Sequence, residues 1–174
     1  TYVLHTDVVS TAWALGLRRL ILPGPDPVFI AGMPFDHARN HACRHALDHG
    51  LQWVFMLDSD VVPPRDCVPR LLAHRKPFIS GMYCRRSPPW SVPVMMKNGQ
   101  WAAVPPNSGV VEVDVVGAGC LLIHRSVLEK CPPQRPQAGK WWFDWRVDCN
   151  GVQPQVAECM SEDFTFCPHL KRTL

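Results

Sequence analysis

No stretch of the 174-residue chain stays apolar for anything near the ~18 residues that a membrane-spanning helix requires, so no membrane span is expected and the chain reads as soluble. The opening residues, Thr1-Tyr2-Val3-Leu4-His5, lack the basic start and long apolar run of a secretory signal, which points to a cytoplasmic setting. Charge of one sign is also lacking. Eighteen basic against 15 acidic residues leave +3, enough to permit an anionic ligand but too little to demand nucleic acid. Eight cysteines are present, yet no two form a Cys-x-x-Cys pair, which argues against a zinc ribbon or a thioredoxin-type site and leaves free thiols as the expectation. No internal repeat appears, and the length suits one domain spanning 1–174.

Trp53-Val54-Phe55-Met56-Leu57-Asp58-Ser59-Asp60-Val61-Val62-Pro63-Pro64 organises the rest. Five apolar residues between Gly50 and a proline pair fit a strand buried on both faces, as in a parallel sheet flanked by helices. Asp58 and Asp60 then fall outside the carboxyl end of that strand, where open α/β sheets bind ligands. On an extended chain residues two apart point the same way, so the two carboxylates are expected to share a hard cation, or a cation and a hydroxyl. Asp-x-Asp is also a common polar strand exit.

Upstream, residues 2–5 read as a short strand, 8–22 carry apolar residues at helical spacing, and 28–31 form the next strand. Asp36 is expected to cap a helix ending at Gly50, with Ala38, Ala42, Ala46 and Leu47 as a narrow face close against a sheet. His37, His41, His45 and His49 on that helix read as a solvated stripe rather than a metal site. Downstream, Asp66 caps a helix to about His74, residues 78–83 form a fourth strand, and Asn98-Gly99 marks a hairpin. Residues 111–115 alternate as a strand, Gly117-Ala118-Gly119 breaks it, 120–123 resume as a buried strand, and 126–131 form a short helix. The prolines at 88–106 and 132–136 make those segments loop-rich. This order predicts an α/β fold, a three-layer domain with a mixed sheet.

Four local features stand in order: Ala38-Arg39-Asn40 on a helix, Leu57-Asp58-Ser59-Asp60 at a strand end, Gly117-Ala118-Gly119-Cys120, and Ser161-Glu162-Asp163-Phe164-Thr165-Phe166-Cys167. Together, over residues 28–167, they resemble the GT-A glycosyltransferases, particularly small phage and bacterial members; for a phage-encoded chain the setting is the host cytoplasm. The resemblance implies a three-layer GT-A, Rossmann-like mixed sheet and transfer of a sugar from a nucleoside-diphosphate sugar, UDP favoured by family frequency. Mn²⁺ or Mg²⁺ would stabilise the departing diphosphate, a task suited to oxygen ligands. By resemblance Asp60 binds the metal, and Asp58 hydrogen-bonds the ribose or shares the metal through water. Arg39 contacts the nucleotide, pairs with one of these aspartates, or is an ordinary surface arginine on its helix. Gly117 and Gly119 either admit the donor sugar close to the backbone or simply make a bulge or tight turn. Asp163 is the implied base or acceptor-binding carboxylate, with Glu162 close behind; after Ser161, a good cap, both also favour a helix start.

His169 is the implied late metal ligand. It follows Cys167 more closely than the family pattern has it, and Pro168 is expected to interrupt the helix. Either the C-terminal part that supplies a histidine is absent, or this chain does without it. Trp141-Trp142-Phe143-Asp144-Trp145 reads either as core or as a surface for stacking on a sugar or base. The acceptor stays open among glycan, lipid, small molecule, protein and hydroxymethylated phage DNA. A basic rim of Arg85, Arg86, Lys97, Arg135 and Lys140 with aromatics nearby suits a polyanion holding an exposed base, and equally suits ordinary solvated loops. Two rivals stand beside the transferase: a non-catalytic nucleotide-sugar-binding module, and a metal-dependent phosphotransferase or hydrolase with Asp58 as nucleophile.

Overall fold

The computed structural model describes residues 2–5, 8–85, 93–102, 104, 108–134, 139–144, 146–147, 159–160 and 162–173. In chain order the elements are β1 (Tyr2–His5), α1 (Thr11–Arg19), β2 (Val28–Ala31), α2 (Phe35–Asp48), β3 (Trp53–Asp58), α3 (Cys67–Ala73), β4 (Phe78–Ser80), β5 (Met95–Lys97), β6 (Gln100–Trp101), β7 (Val115–Val116), β8 (Cys120–His124), α4 (Arg125–Lys130), β9 (Arg146–Val147), β10 (Cys159–Met160) and α5 (Glu162–Thr173). The fold is α/β, with a central sheet in the order β2-β1-β3-β8-β4 and two small antiparallel sheets, β6-β5-β7 and β10-β9.

The central sheet is mixed rather than parallel. β1 pairs with β2 and β3 in parallel, whereas β8 runs antiparallel between β3 and β4. β3 is nonetheless buried on both faces, because its alternate side chains enter different clusters. Val54 and Met56 join Ala38, Ala42 and Ala46 of α2, Val127 and Leu128 of α4, and Phe166 and Leu170 of α5. Phe55 and Leu57 join Trp13 of α1 and Val68 and Leu71 of α3. The small residues of α2 are at most 3% exposed, as close packing against a sheet requires.

Several local expectations are corrected. Pro34 precedes α2 and Asp36 lies inside the first turn, buried at 9% exposure, so Asp36 is not the cap. The strand expected over 78–83 stops at Ser80, since its partner strand β8 starts at Cys120 and the last ladder bond runs from the Gly81 N–H to the Cys120 carbonyl. The alternation over 111–115 yields strand only at Val115–Val116. Val115 faces Met96, so residue 113 would face Asn98, which has already entered a turn with φ 53° followed by Gly99 at 74°. The hairpin itself forms as expected. Pro168 does not interrupt α5, which runs from Glu162 to Thr173 with Phe166 and Cys167 before it and Leu170 after it all buried, an anchoring that outweighs the lost backbone hydrogen bond.

The aromatic cluster is core. Trp142 and Phe143 are at most 1% exposed, Trp141 is 8% exposed, and the Trp142 indole N–H donates to the Leu128 and Cys131 carbonyls. Trp145, with Arg86, Arg135 and Ser161, lies outside the described residues. Cys43, Cys67, Cys84, Cys120, Cys131 and Cys167 are free thiols. No helix among the described residues is long and apolar enough to cross a membrane.

Candidate active site

The carboxyl ends of the three parallel strands share one edge of the sheet, since Leu4 pairs with Asp58 and His5 with Ala31. α2 starts four residues after β2 ends, which brings its second turn to that edge with Arg39 directed inward. Arg39 is 3% exposed. Its Nη1 and Nη2 donate to Oδ1 and Oδ2 of Asp58, both at 3.1 Å, while Nε donates to Oε1 of Glu162 at 2.9 Å and Nη1 also reaches the Ala118 carbonyl at 3.3 Å. One planar guanidinium thus joins the end of β3, the glycine turn before β8 and the start of α5. The expected pairing of Arg39 with an aspartate is met by Asp58; the buried partner Glu162 is an addition.

Two carboxylates on one guanidinium leave one formal negative charge in excess, and Asp58 is the opened side of the cluster, 20% exposed against 5% for Glu162. Asp58 is fixed through its backbone too. Its N–H donates to the Gly119 carbonyl at 3.0 Å, and its carbonyl accepts the Trp13 indole N–H at 3.0 Å. The strand ends at Asp58 and residues 59–60 form a turn, so the strand alternation expected to align Asp58 with Asp60 does not extend to Asp60. Asp60 is exposed at the rim.

Gly117 and Gly119 are glycine for lack of space, not for left-handed backbone. A Cβ on Gly119 would lie 2.9 Å from Tyr83 Oη and 3.0 Å from Asp58 Oδ2; one on Gly117 would collide with the Tyr83 hydroxyl and lie 2.6 Å from Val94 Cγ1. The group that approaches these glycines is therefore Tyr83, whose hydroxyl accepts the Gly119 N–H at 2.8 Å. Sequence reasoning missed Tyr83. It stood only as the last residue of an expected strand, and no spacing rule connects it to a glycine pair more than thirty residues on.

Glu162 and Asp163 open α5, and Glu162 is held in the cluster; the side chain of Asp163 lies outside the description. His169 is not brought to the site. It is seven residues, about 10 Å, further along α5, and its Nε2 meets the Pro132 carbonyl at 2.6 Å. Among the described residues no three His, Cys, Asp or Glu side chains gather as a metal site. Asp58, with both carboxylate oxygens on Arg39, and exposed Asp60 are the two carboxylates at this strand exit. Of the expected basic rim, Lys97 and Lys140 are exposed and Arg85 lies over the Trp101 ring at 5.1 Å.

The histidine stripe is more than a solvated face. The Tyr2 hydroxyl and His45 Nδ1 are 2.7 Å apart, and the His45 and His49 rings stack at 4.1 Å. Burial, with His49 and His41 adding to it, lowers the pKa of His45, while burial raises that of Tyr2 to about 12.

No protein-family model and no curated protein matches the chain. Among solved structures, A197 from STIV is similar in fold, with a TM-score of 0.60 and 16% identity over 98% of this chain and 77% of that one.

Proposed function

We propose that the chain is a GT-A-like glycosyltransferase that transfers a sugar from a nucleoside-diphosphate sugar, preferably a UDP-sugar, to a hydroxyl acceptor with the help of Mn²⁺ or Mg²⁺. The observation that carries this reading is Arg39 bridging Asp58 and Glu162 at the carboxyl edge of the parallel strands. It joins three of the four features on which the resemblance rests, and the Ala118 carbonyl bound by the same guanidinium belongs to the fourth. The clusters on opposite faces of the central sheet fit the three-layer GT-A arrangement.

In this reading Arg39 holds Asp58 and Glu162 in place. Asp58 faces the ribose or the metal, and Asp60 at the rim is the metal ligand. A bound divalent cation would offset the charge that develops on the departing diphosphate. Glu162, buried and paired with Arg39, positions the start of α5, and Asp163 is assigned the acceptor hydroxyl as general base. The hydrolase rival loses ground because both Asp58 oxygens accept hydrogen bonds from one guanidinium, a poor state for a nucleophile.

The test is incubation with a panel of nucleotide sugars and Mn²⁺. Slow release of free sugar is expected; binding without turnover would favour the non-catalytic module, and phosphate release from a monoester the hydrolase. Offering hydroxymethylated and unmodified DNA with the same donors decides the acceptor by the mass added to the base. No mass shift, with no salt-sensitive DNA binding, would return the acceptor to a glycan or small molecule.

A further inference from the structure

The face of the central sheet covered by α1 and α3 contains two thiols in direct contact. Cys67 is the first residue of α3 and Cys120 the first of β8, 53 residues apart in sequence, and their sulfurs lie 3.6 Å apart, with the residues 6% and 3% exposed. The space around Cys120 Sγ is kept open by a glycine: a Cβ on Gly81 would sit 2.8 Å from that sulfur. Both backbones are secured, Cys67 by its N–H to the Pro64 carbonyl and Cys120 by accepting the Gly81 N–H, so the contact is set by the frame of the fold. We infer that Cys67 and Cys120 form a redox-convertible pair, closed to an intramolecular disulfide by a small peroxide, next to the Asp58–Gly119 contact. This inference does not depend on glycosyl transfer.

The chemistry balances with hydrogen peroxide as oxidant. The hydrogen bond shared with Cys120 holds the Cys67 thiol below its ordinary range, and the same bond, with burial, pushes Cys120 up, so Cys67 is the sulfur that gives up its proton first. Its sulfur attacks one peroxide oxygen, the O–O bond breaks, and Cys67 becomes a sulfenic acid while the departing hydroxide takes up the proton that Cys67 gave to solvent and leaves as the first water. Cys120 sulfur then attacks Cys67 sulfur, forming S–S and breaking S–O, and the hydroxide takes the Cys120 proton to leave as the second water. Two thiols lose two electrons and two protons; one peroxide becomes two waters. A small oxidant suits sulfurs this buried, and closing the contact to a covalent bond needs a movement of about 1.5 Å.

The consequence reaches the candidate site through one peptide unit. Cys120 follows Gly119, whose carbonyl accepts the Asp58 N–H and whose N–H is held by Tyr83. The experiment treats the folded chain, in a Cys84→Ser background that removes the one exposed thiol among the described cysteine side chains, with hydrogen peroxide, and maps disulfide-linked peptides by mass without reduction. Expected are a Cys67–Cys120 linked peptide, a retained native circular-dichroism spectrum, and a melting temperature higher by about 10 °C that dithiothreitol reverses. Both the link and the shift should be absent from Cys67→Ser and from Cys120→Ser. Three results would overturn the inference: both thiols still alkylated after peroxide and unfolding, Cys67 recovered as sulfinic acid without a link, or a link that forms only as the native spectrum is lost.

Discussion

Replacing Arg39 by Met keeps length and apolar bulk but removes the cation from two carboxylates. Glu162, 5% exposed, would be left as a buried charge, and Asp58, 20% exposed, would lose both of its guanidinium bonds. Breaking a buried pair from one side costs about 3–5 kcal/mol, because the remaining carboxylate stays desolvated and loses its cation. For a domain of this size that is a fall in melting temperature of about 10 °C or more. Urea unfolding of Arg39→Met, Glu162→Gln and the double variant gives the cycle. Glu162→Gln alone should cost less, since Arg39 keeps Asp58, and in the Arg39→Met background it should recover stability by removing the buried charge. A coupling of about 2 kcal/mol or more is expected. The deficit of Arg39→Met should also shrink in acid, where a protonated Glu162 needs no cation. If Arg39→Met unfolds within about 1 kcal/mol of the parent at pH 7, or if the two single losses simply add, the cluster does not hold the site together.

Calorimetry of UDP binding should show at least a tenfold gain from Mn²⁺ or Mg²⁺, about 1.4 kcal/mol, most of it absent from Asp60→Ala; equal binding in EDTA would remove the metal role from Asp60. Asp163→Asn should leave donor affinity nearly unchanged and lower turnover about a hundredfold. If Glu162→Gln loses activity while Asp163→Asn keeps it, the two roles must be exchanged. Gly119→Ala should destabilise the fold by about 1–3 kcal/mol, because its methyl meets Tyr83 and an Asp58 that Arg39 prevents from retreating; Tyr83→Phe should recover part of that loss, and an additive loss would show that the crowding lies elsewhere. His45, whose pKa folding lowers, binds fewer protons folded than unfolded, so its contribution is present above the unfolded value near 6.5 and is lost as pH falls through the folded value. Melting temperature should therefore drop on acidification through that window, and less steeply in His45→Gln; identical profiles would acquit His45.

The frame of the fold was legible where one signal dominated. The apolar run before Asp58, the small residues of α2 and the Asn98-Gly99 turn each pointed to one structure, and each formed. Errors arose where an element depends on its partner rather than on itself. The 111–115 alternation is a sound strand pattern, but β5 turns away before most of it can pair, and the Phe78 strand ends with its neighbour for the same reason. Pro168 was misjudged because propensity was weighed without the core that Phe166 and Leu170 enter. At the site, the residue types stood out because carboxylates at a strand end and an arginine on a small-residue helix lack an ordinary core explanation. Their geometry did not: which carboxylates Arg39 binds, and what fills the space above Gly119, depend on distances between segments 19 to 123 residues apart.

The motif helix also carries a second polar device, which explains why Arg39 and Glu162 meet so accurately. Asn40, fully buried, donates to the Asp36 and Phe143 carbonyls and accepts the N–H groups of Trp142 and Phe143, which fully satisfies its side chain. The irregular 141–144 segment is thereby fixed to α2. From its far end the Asp144 carbonyl accepts the Thr165 hydroxyl, which also meets the Glu162 carbonyl at 2.9 Å within the first turn of α5. The start of α5 is thus located by two routes from α2, one through Arg39 to the Glu162 carboxylate and one through Asn40, the aromatic segment and Thr165 to its backbone. A charged contact alone would fix one atom pair and leave the helix free to pivot about it. With the second, uncharged route anchored in the core, the backbone at Asp163 is held against the same helix that orients Asp58, a fixed spacing that the proposed transfer would need between its two groups.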